Sequence, residues 1–145
     1  MDFIKPNSIK NIHKLSIAPM MDCTDKHFRM IIRKISSKAL LYTEMIVAQS
    51  LIYTDKKERF LDFNSEEHPL SIQFGGDNPK MLEEAAKMAQ DWGYDEINFN
   101  VGCPSPRVCS GNFGASLMKQ PTKVAKCIES LKNNCSLPVT IKHRI

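Results

Sequence analysis

The chain has 145 residues, enough for one domain or part of one, with 42% hydrophobic and 25% charged residues. Its net charge of +4 permits a polyanionic partner such as RNA without demanding one. No apolar run approaches the ~20 residues of a membrane helix, and Met1-Asp2-Phe3-Ile4-Lys5-Pro6 lacks the apolar core and cleavage site of a secretory signal, so the expected location is cytoplasmic.

Short apolar strands alternate with amphipathic helices along the chain. Leu15 to Met20 predicts a first strand, ended by Pro19-Met20-Met21-Asp22. Thr24 or Asp25 can cap a helix running to about Ser36, with Phe28, Ile31, Ile32 and Ile35 on its buried face. The basic residues of Arg29-Met30-Ile31-Ile32-Arg33-Lys34 then read as a solvated helix face, or as one that meets a phosphate backbone. Ala39 to Met45 predicts a second strand, and Ile46 to Tyr53 a short helix followed by a polar stretch through Glu67. Pro69 to Phe74 predicts a third strand, closed by Gly75-Gly76. Asn78 caps a helix that begins with Pro79, runs to Trp92 and stops at Gly93. Glu96 to Val101 predicts a fourth strand, with Asn98 and Asn100 on one face and Ile97, Phe99 and Val101 on the other. Pro121 opens a helix through about Asn133, and a fifth strand runs from Val139 to Arg144.

Strict strand–helix alternation points to parallel βαβ units. No Gly-x-Gly-x-x-Gly follows the first strand, which argues against a dinucleotide-type fold. A (β/α)8 barrel needs ~250 residues. Five predicted strands therefore read as the N-terminal portion of a TIM barrel, an α/β fold of about five βα units truncated at Ile145.

The five cysteines are Cys23, Cys103, Cys109, Cys127 and Cys135. Their number is odd and no pair has the C-x-x-C spacing of a zinc site, so neither a disulfide framework nor a metal is expected. Cys127 falls in a helix, and Cys23, Cys109 and Cys135 read as loop or strand-end residues.

In a barrel the active site lies at the C-terminal ends of the strands. Each predicted strand carries polar or soft groups there: Met20 and Met21 with Asp22 and Asp25, then Thr43-Glu44-Met45, Gln73, Asn100 with Cys103, and Lys142-His143-Arg144. A glutamine can donate and accept toward a planar heterocycle. A lysine places positive charge where a reduced ring holds negative charge. Methionine makes soft contact with aromatic rings. That combination suits a flavin. A thiol on the far side of the substrate from a hydride donor can act as general acid, since an ordinary thiol titrates near ~8.5.

Several ordered motifs carry a resemblance. They are Ala18-Pro19-Met20-Met21-Asp22-Cys23-Thr24-Asp25, Phe28-Arg29, Tyr42-Thr43-Glu44-Met45, Gln73-Phe74-Gly75-Gly76, Asn100-Val101-Gly102-Cys103-Pro104, Gly111-Asn112-Phe113-Gly114-Ala115 and Lys142-His143-Arg144. The set closely resembles the tRNA-dihydrouridine synthases, FMN-dependent TIM-barrel enzymes with a C-terminal helical domain. Glu66-Glu67-His68-Pro69 and Leu41-Tyr42-Thr43-Glu44-Met45 look most like the bacterial A subfamily, which acts at uridine 20 and its neighbour in the tRNA D-loop.

The resemblance implies that NADPH reduces FMN, that hydride passes to C6 of a flipped-out uridine, and that Cys103 protonates C5. It implies FMN contacts for Pro19, Met20, Met21, Gln73 and Lys142, and a place near the target base for Asn100. A later histidine, the glycine-rich phosphate loops and the helical tRNA-binding domain of that family would fall beyond Ile145, leaving residues 1–145 as an incomplete FMN-binding barrel domain. Phe99 stands where a smaller aliphatic is commoner, and Cys109 is an unusual second thiol after Cys103. The alternatives are a non-catalytic remnant with weak RNA binding, or another FMN-dependent barrel oxidoreductase.

Overall fold

A computed structural model describes residues 14–133 and 135–145; the N-terminal reading of Met1 to Pro6 lies outside them. Five parallel strands form one sheet in the order of the chain: β1 (Ser16–Ile17), β2 (Leu40–Val47), β3 (Leu70–Gly75), β4 (Glu96–Asn100) and β5 (Val139–Lys142). Between them run α1 (Lys26–Ile35), α2 (Ala48–Tyr53), α3 (Glu58–Leu61), α4 (Pro79–Trp92), α5 (Pro106–Ser110) and α6 (Pro121–Lys132), with 3-10 turns at Ser65–Glu67 and Gly114–Lys119. Sequential parallel order with helical crossovers is the connectivity of consecutive strands in a (β/α)8 barrel.

The strands sort their side chains by parity. Leu41, Leu70, Ile72, Phe74, Ile97 and Phe99 are buried with Leu82, Ala85, Ala86 and Ala89 of α4 and Leu131 of α6. The opposite face carries Tyr42, Ser71, Gln73, Glu96, Asn98, Asn100 and Thr140, which are paired by register and hydrogen bonds. Helix α4 begins and ends as its sequence dictates. The Asn78 side chain accepts from the Lys80 and Met81 amides, Pro79 occupies the first turn, and Gly93 closes the helix at a φ of 97°.

Two expected strand boundaries need correction, and one stretch holds elements the sequence did not announce. The first strand is far shorter than Leu15 to Met20, because from Met20 the backbone turns: the Cys23 and Thr24 amides donate to the Met20 carbonyl. The second strand extends to Val47 and the short helix starts only at Ala48. The stretch between β4 and α6 contains α5 and a 3-10 turn that hydrophobic periodicity does not reveal, since both are too short to show a repeat.

The largest correction concerns α1. Asp25 caps it through the Phe28 amide, while Thr24 is buried and bonded to Met20. Only part of the expected apolar stripe is inside: Phe28 is half-buried and Ile32 packs against the core, but Ile31 and Ile35 are 62% and 77% exposed, whereas Arg29 and Arg33 are buried. The supposed solvated basic face is thus half internal. Arg29 Nε donates to Glu67 Oε2 at 2.5 Å and its Nη1 donates to the Thr24 carbonyl. Arg33 donates to the carbonyls of Ser36, Glu67 and Pro69. Buried guanidinium groups keep their charge only where acceptors meet them, and the chain before β3 supplies those acceptors. Lys34 remains exposed as expected and pairs with Glu66.

Candidate active site

The site begins with a break in register. Tyr42 pairs with Ser71, but the next aligned pair is Met45 with Gln73, so β2 inserts an extra residue. Thr43 fills the interrupted ladder with its side chain: the Gln73 amide donates to Thr43 Oγ1, which donates to the Glu44 carbonyl. Simple alternation from Tyr42 would place Glu44 on the polar face. The bulge instead turns Met45 to that position and leaves Ile46 opposite Phe74 in the core. Met45 then lies against Gly75, where an added Cβ would come 2.8 Å from its sulfur and 3.1 Å from the Phe113 ring.

Across the polar face runs a continuous hydrogen-bond ladder. Asn100 Nδ2 donates to Gln73 Oε1 at 2.8 Å, and Gln73 Nε2 donates to Asn98 Oδ1 at 2.7 Å. Asn98 Nδ2 donates to Thr140 Oγ1, whose hydroxyl donates to Glu96 Oε1. The same carboxylate oxygen accepts from Ser71 and Tyr42. Every link joins different strands, so the ladder sets the mutual register of β2 to β5.

Burial, reinforced by the Glu96 charge, pushes the Tyr42 phenol up to about 12. Burial also raises Tyr94, whose hydroxyl donates to the Leu61 carbonyl. Both shifts favour the neutral phenol in the folded state. The stability they contribute is therefore complete below the ordinary tyrosine value of ~10 and drains away as pH rises through about 12 for Tyr42. Urea midpoints measured across this alkaline window should fall steadily, and Tyr42→Phe should flatten that fall. An equal slope in parent and variant would contradict the coupling.

The strand β4 ends in a clamped turn that presents Cys103. Asn100 Oδ1 accepts from the amides of both Gly102 and Cys103, at 3.2 and 2.9 Å. The Gly102 carbonyl accepts from Arg144 Nε at 2.6 Å, and the Cys103 carbonyl accepts from the Ala115 amide at 2.9 Å. Gly102 passes so near β5 that a Cβ there would lie 3.0 Å from the His143 backbone. Gly114 has a φ of 65°, and a Cβ on it would lie 2.7 Å from the Cys103 carbonyl and 2.4 Å from a Val108 methyl. Gly114→Ala thus combines left-handed strain with two collisions. It should cost about 1–3 kcal/mol in denaturant unfolding, and it should slow alkylation of Cys103 by displacing its turn.

Cys103, half-buried, borders a cleft of about 1300 Å³ shared with Met21, Thr43, Glu44, Met45, Arg107 and Phe113, among others. The expected site residues fall into three groups. Gln73, Asn100 and Cys103 are joined through the ladder and the turn. Lys142 is the register partner of Asn100 on β5, and its carbonyl accepts from the Val101 amide. Its ammonium has no ion-pair partner among the described residues. Pro19, Met20 and Met21 lie beyond β1; Met21 lines the cleft, and Met20 and Met21 are 42% and 56% exposed.

Sequence reasoning missed the roles of Thr43, Asn98, Thr140, Glu96 and Arg144. Parity alone places Asn98 beside Asn100, but no local signal pairs Arg144 with the turn before Cys103. Cys127 is buried in α6 and Cys23 lies in the exposed turn after β1, both as expected; Cys109 instead lies within α5. Among the described residues no cluster of histidine, cysteine or acidic side chains could hold a metal ion, and no helix is long and apolar enough to cross a membrane.

Comparison with known proteins gives a consistent result. The dihydrouridine synthase family profile matches residues 16–145. A protein of Synechocystis named tRNA-dihydrouridine(20/20a) synthase is 56% identical over 135 residues, covering 93% of this chain and 40% of that protein. Proteins of the same name from Vibrio cholerae and Shewanella oneidensis are 52% and 49% identical, covering 91% and 96% of this chain and 40% and 41% of theirs. The chain spans about 40% of the length of these curated relatives.

Proposed function

The chain belongs to the dihydrouridine synthase family, and from that membership we propose that it forms the N-terminal part of an FMN-binding barrel that reduces uridine 20 and its neighbour to dihydrouridine in the tRNA D-loop, with NADPH as reductant. A helical tRNA-binding domain completes this reading, and the reaction takes place in the cytoplasm. The observation that carries it is the turn, clamped by Asn100, that delivers Cys103 to the wall of the cleft.

The donor set fits a flavin. Lys142 stands beside Asn100 with no ion-pair partner among the described residues, one N–H of Gln73 remains after its bond to Asn98, and Met20 and Met21 present exposed thioethers. When bound, FMN supplies the hydride that adds to C6 of the uracil ring. The chain's own residues do the rest. Cys103 holds a proton on Sγ and delivers it to C5, on the face opposite the hydride. Asn100 holds the Cys103 amide, which keeps the thiol in one place during the transfer. Lys142 offsets negative charge that develops on the reduced ring. The base must leave its stack to reach a thiol at this depth, as in other enzymes that act on a base.

The test is direct. The protein is incubated with FMN, NADPH and tRNA transcribed without modifications, and dihydrouridine is mapped by position. Formation at positions 20 and 20a supports the reading. Binding of tRNA with no product under any reductant would leave a non-catalytic RNA-binding protein, and turnover of small-molecule enones alone would point to a different flavin oxidoreductase.

A further inference from the structure

We propose that Cys103 and Cys109 form a reversible disulfide in response to hydroperoxides, which makes Cys109 the resolving partner of the thiol in the cleft. Cys109 is the fourth residue of α5, and its Sγ lies 3.7 Å from the backbone oxygen of Cys103. Both residues are partly buried and carry free thiols. The chain folds back over Cys103 after α5. The Cys109 amide donates to the Ser105 carbonyl, the Ala115 amide donates to the Cys103 carbonyl, and the space at Gly114 leaves only 3.4 Å between an added Cβ and the Cys103 Cβ. Cys103 is thus bounded on one side by the cleft, from which a small oxidant can enter, and on the other by the short helix that carries the second thiol.

The other three cysteines stand elsewhere. Cys23 is in the exposed turn after β1, Cys127 is enclosed in the core on α6, and Cys135 packs beside that core. Disulfide closure requires Cα atoms roughly 4.4–6.8 Å apart. Closure asks for rotation of Cys103 about χ1 and a shift of the five-residue helix α5, while β4, which ends three residues before Cys103, can stay in place.

The chemistry balances in two steps. Cys103 attacks the peroxide O–O bond and becomes a sulfenic acid, and water (or an alcohol) leaves. The Cys109 sulfur then attacks the sulfenic sulfur, its proton leaves with the hydroxyl as water, and the S–S bond forms. Two thiols lose two electrons in total and one peroxide gains them. A dithiol reductant reverses the step. The disulfide stands on geometry; its effect on turnover rests on Cys103 being the proton donor.

The experiment treats the full chain with hydrogen peroxide, blocks remaining thiols, and maps peptides without reduction. The expected result is a loss of two of the five free thiols, a linked Cys103–Cys109 peptide lighter by two hydrogens, and complete loss of dihydrouridine formation that dithiothreitol restores. In Cys109→Ser, the same treatment should drive Cys103 to sulfinic acid, and dithiothreitol should restore nothing. Cys103 found linked to Cys23, or overoxidised in the parent while Cys109 stays free, would overturn the proposal. If the disulfide forms but Cys103→Ala reduces uridine as well as the parent, the proton-donor reading falls and the disulfide stands.

Discussion

Cys103→Ala should lower dihydrouridine formation by about 10²–10⁴-fold, the usual worth of a positioned general acid, while flavin absorbance per protein stays unchanged. The split between the two readouts follows from the structure. The peptide groups around Cys103 are held by Asn100, Arg144 and Ala115 through backbone atoms, so removing the sulfur leaves the turn in place. The groups proposed to meet the flavin, Gln73 and Lys142, are likewise untouched. Only the proton carrier is lost. Cys103→Ser should recover little, because a hydroxyl is a far weaker acid than a thiol. A Cys103→Ala protein that turns over within a few-fold of the parent would remove this residue from the chemistry.

Breaking the Arg29–Glu67 pair should cause the largest loss of stability. The two side chains are 6% and 0% exposed and meet at 2.5 Å. Glu67 also accepts from the Asn64 amide and so caps the 3-10 turn that leads into β3. Glu67→Leu strands a buried guanidinium, which typically costs about 3–5 kcal/mol, a large share of the ~5–15 kcal/mol that holds a domain together. Replacing both partners, as Arg29→Met with Glu67→Leu, should return most of that loss, because neither charge then needs solvation. Urea unfolding of the parent, both single variants and the double variant measures the coupling. Additive single and double effects would mean that the pair contributes no mutual energy.

The same pair explains why α1 is rotated from its expected orientation. Apolar spacing at Phe28, Ile31, Ile32 and Ile35 describes a plausible stripe, and burying an isoleucine gains roughly 1.5–3 kcal/mol. A guanidinium that finds a buried carboxylate and several carbonyls competes with that gain; the Thr24 and Ser36 carbonyls are close in sequence, but the Glu67 carboxylate and the Glu67 and Pro69 carbonyls lie far along the chain. Glu67 is 38 residues from Arg29 and 34 from Arg33. No window of sequence around the helix contains them.

Much of the fold was legible because its signals are local. The Asn78 cap, Pro79 and Gly93 mark α4 within a residue, and the alternation of Ile97, Phe99 and Val101 with Asn98 and Asn100 assigns the faces of β4. The sequence also places Cys103 at the end of that strand, since Gly102 and Pro104 cannot extend it. Helix capping, strand parity and turn chemistry depend on residues a few positions apart, so one sequence by itself determined them. Only the tertiary structure decided the bulge that swaps Met45 for Glu44, the ladder that links Gln73 to Asn100 across 27 residues, and the hold of Arg144 on the turn 42 residues before it. These contacts depend on which strands lie side by side and in what register. That outcome is set by summed burial and hydrogen bonding over the whole sheet, where each distant partner stabilises the placement of the next.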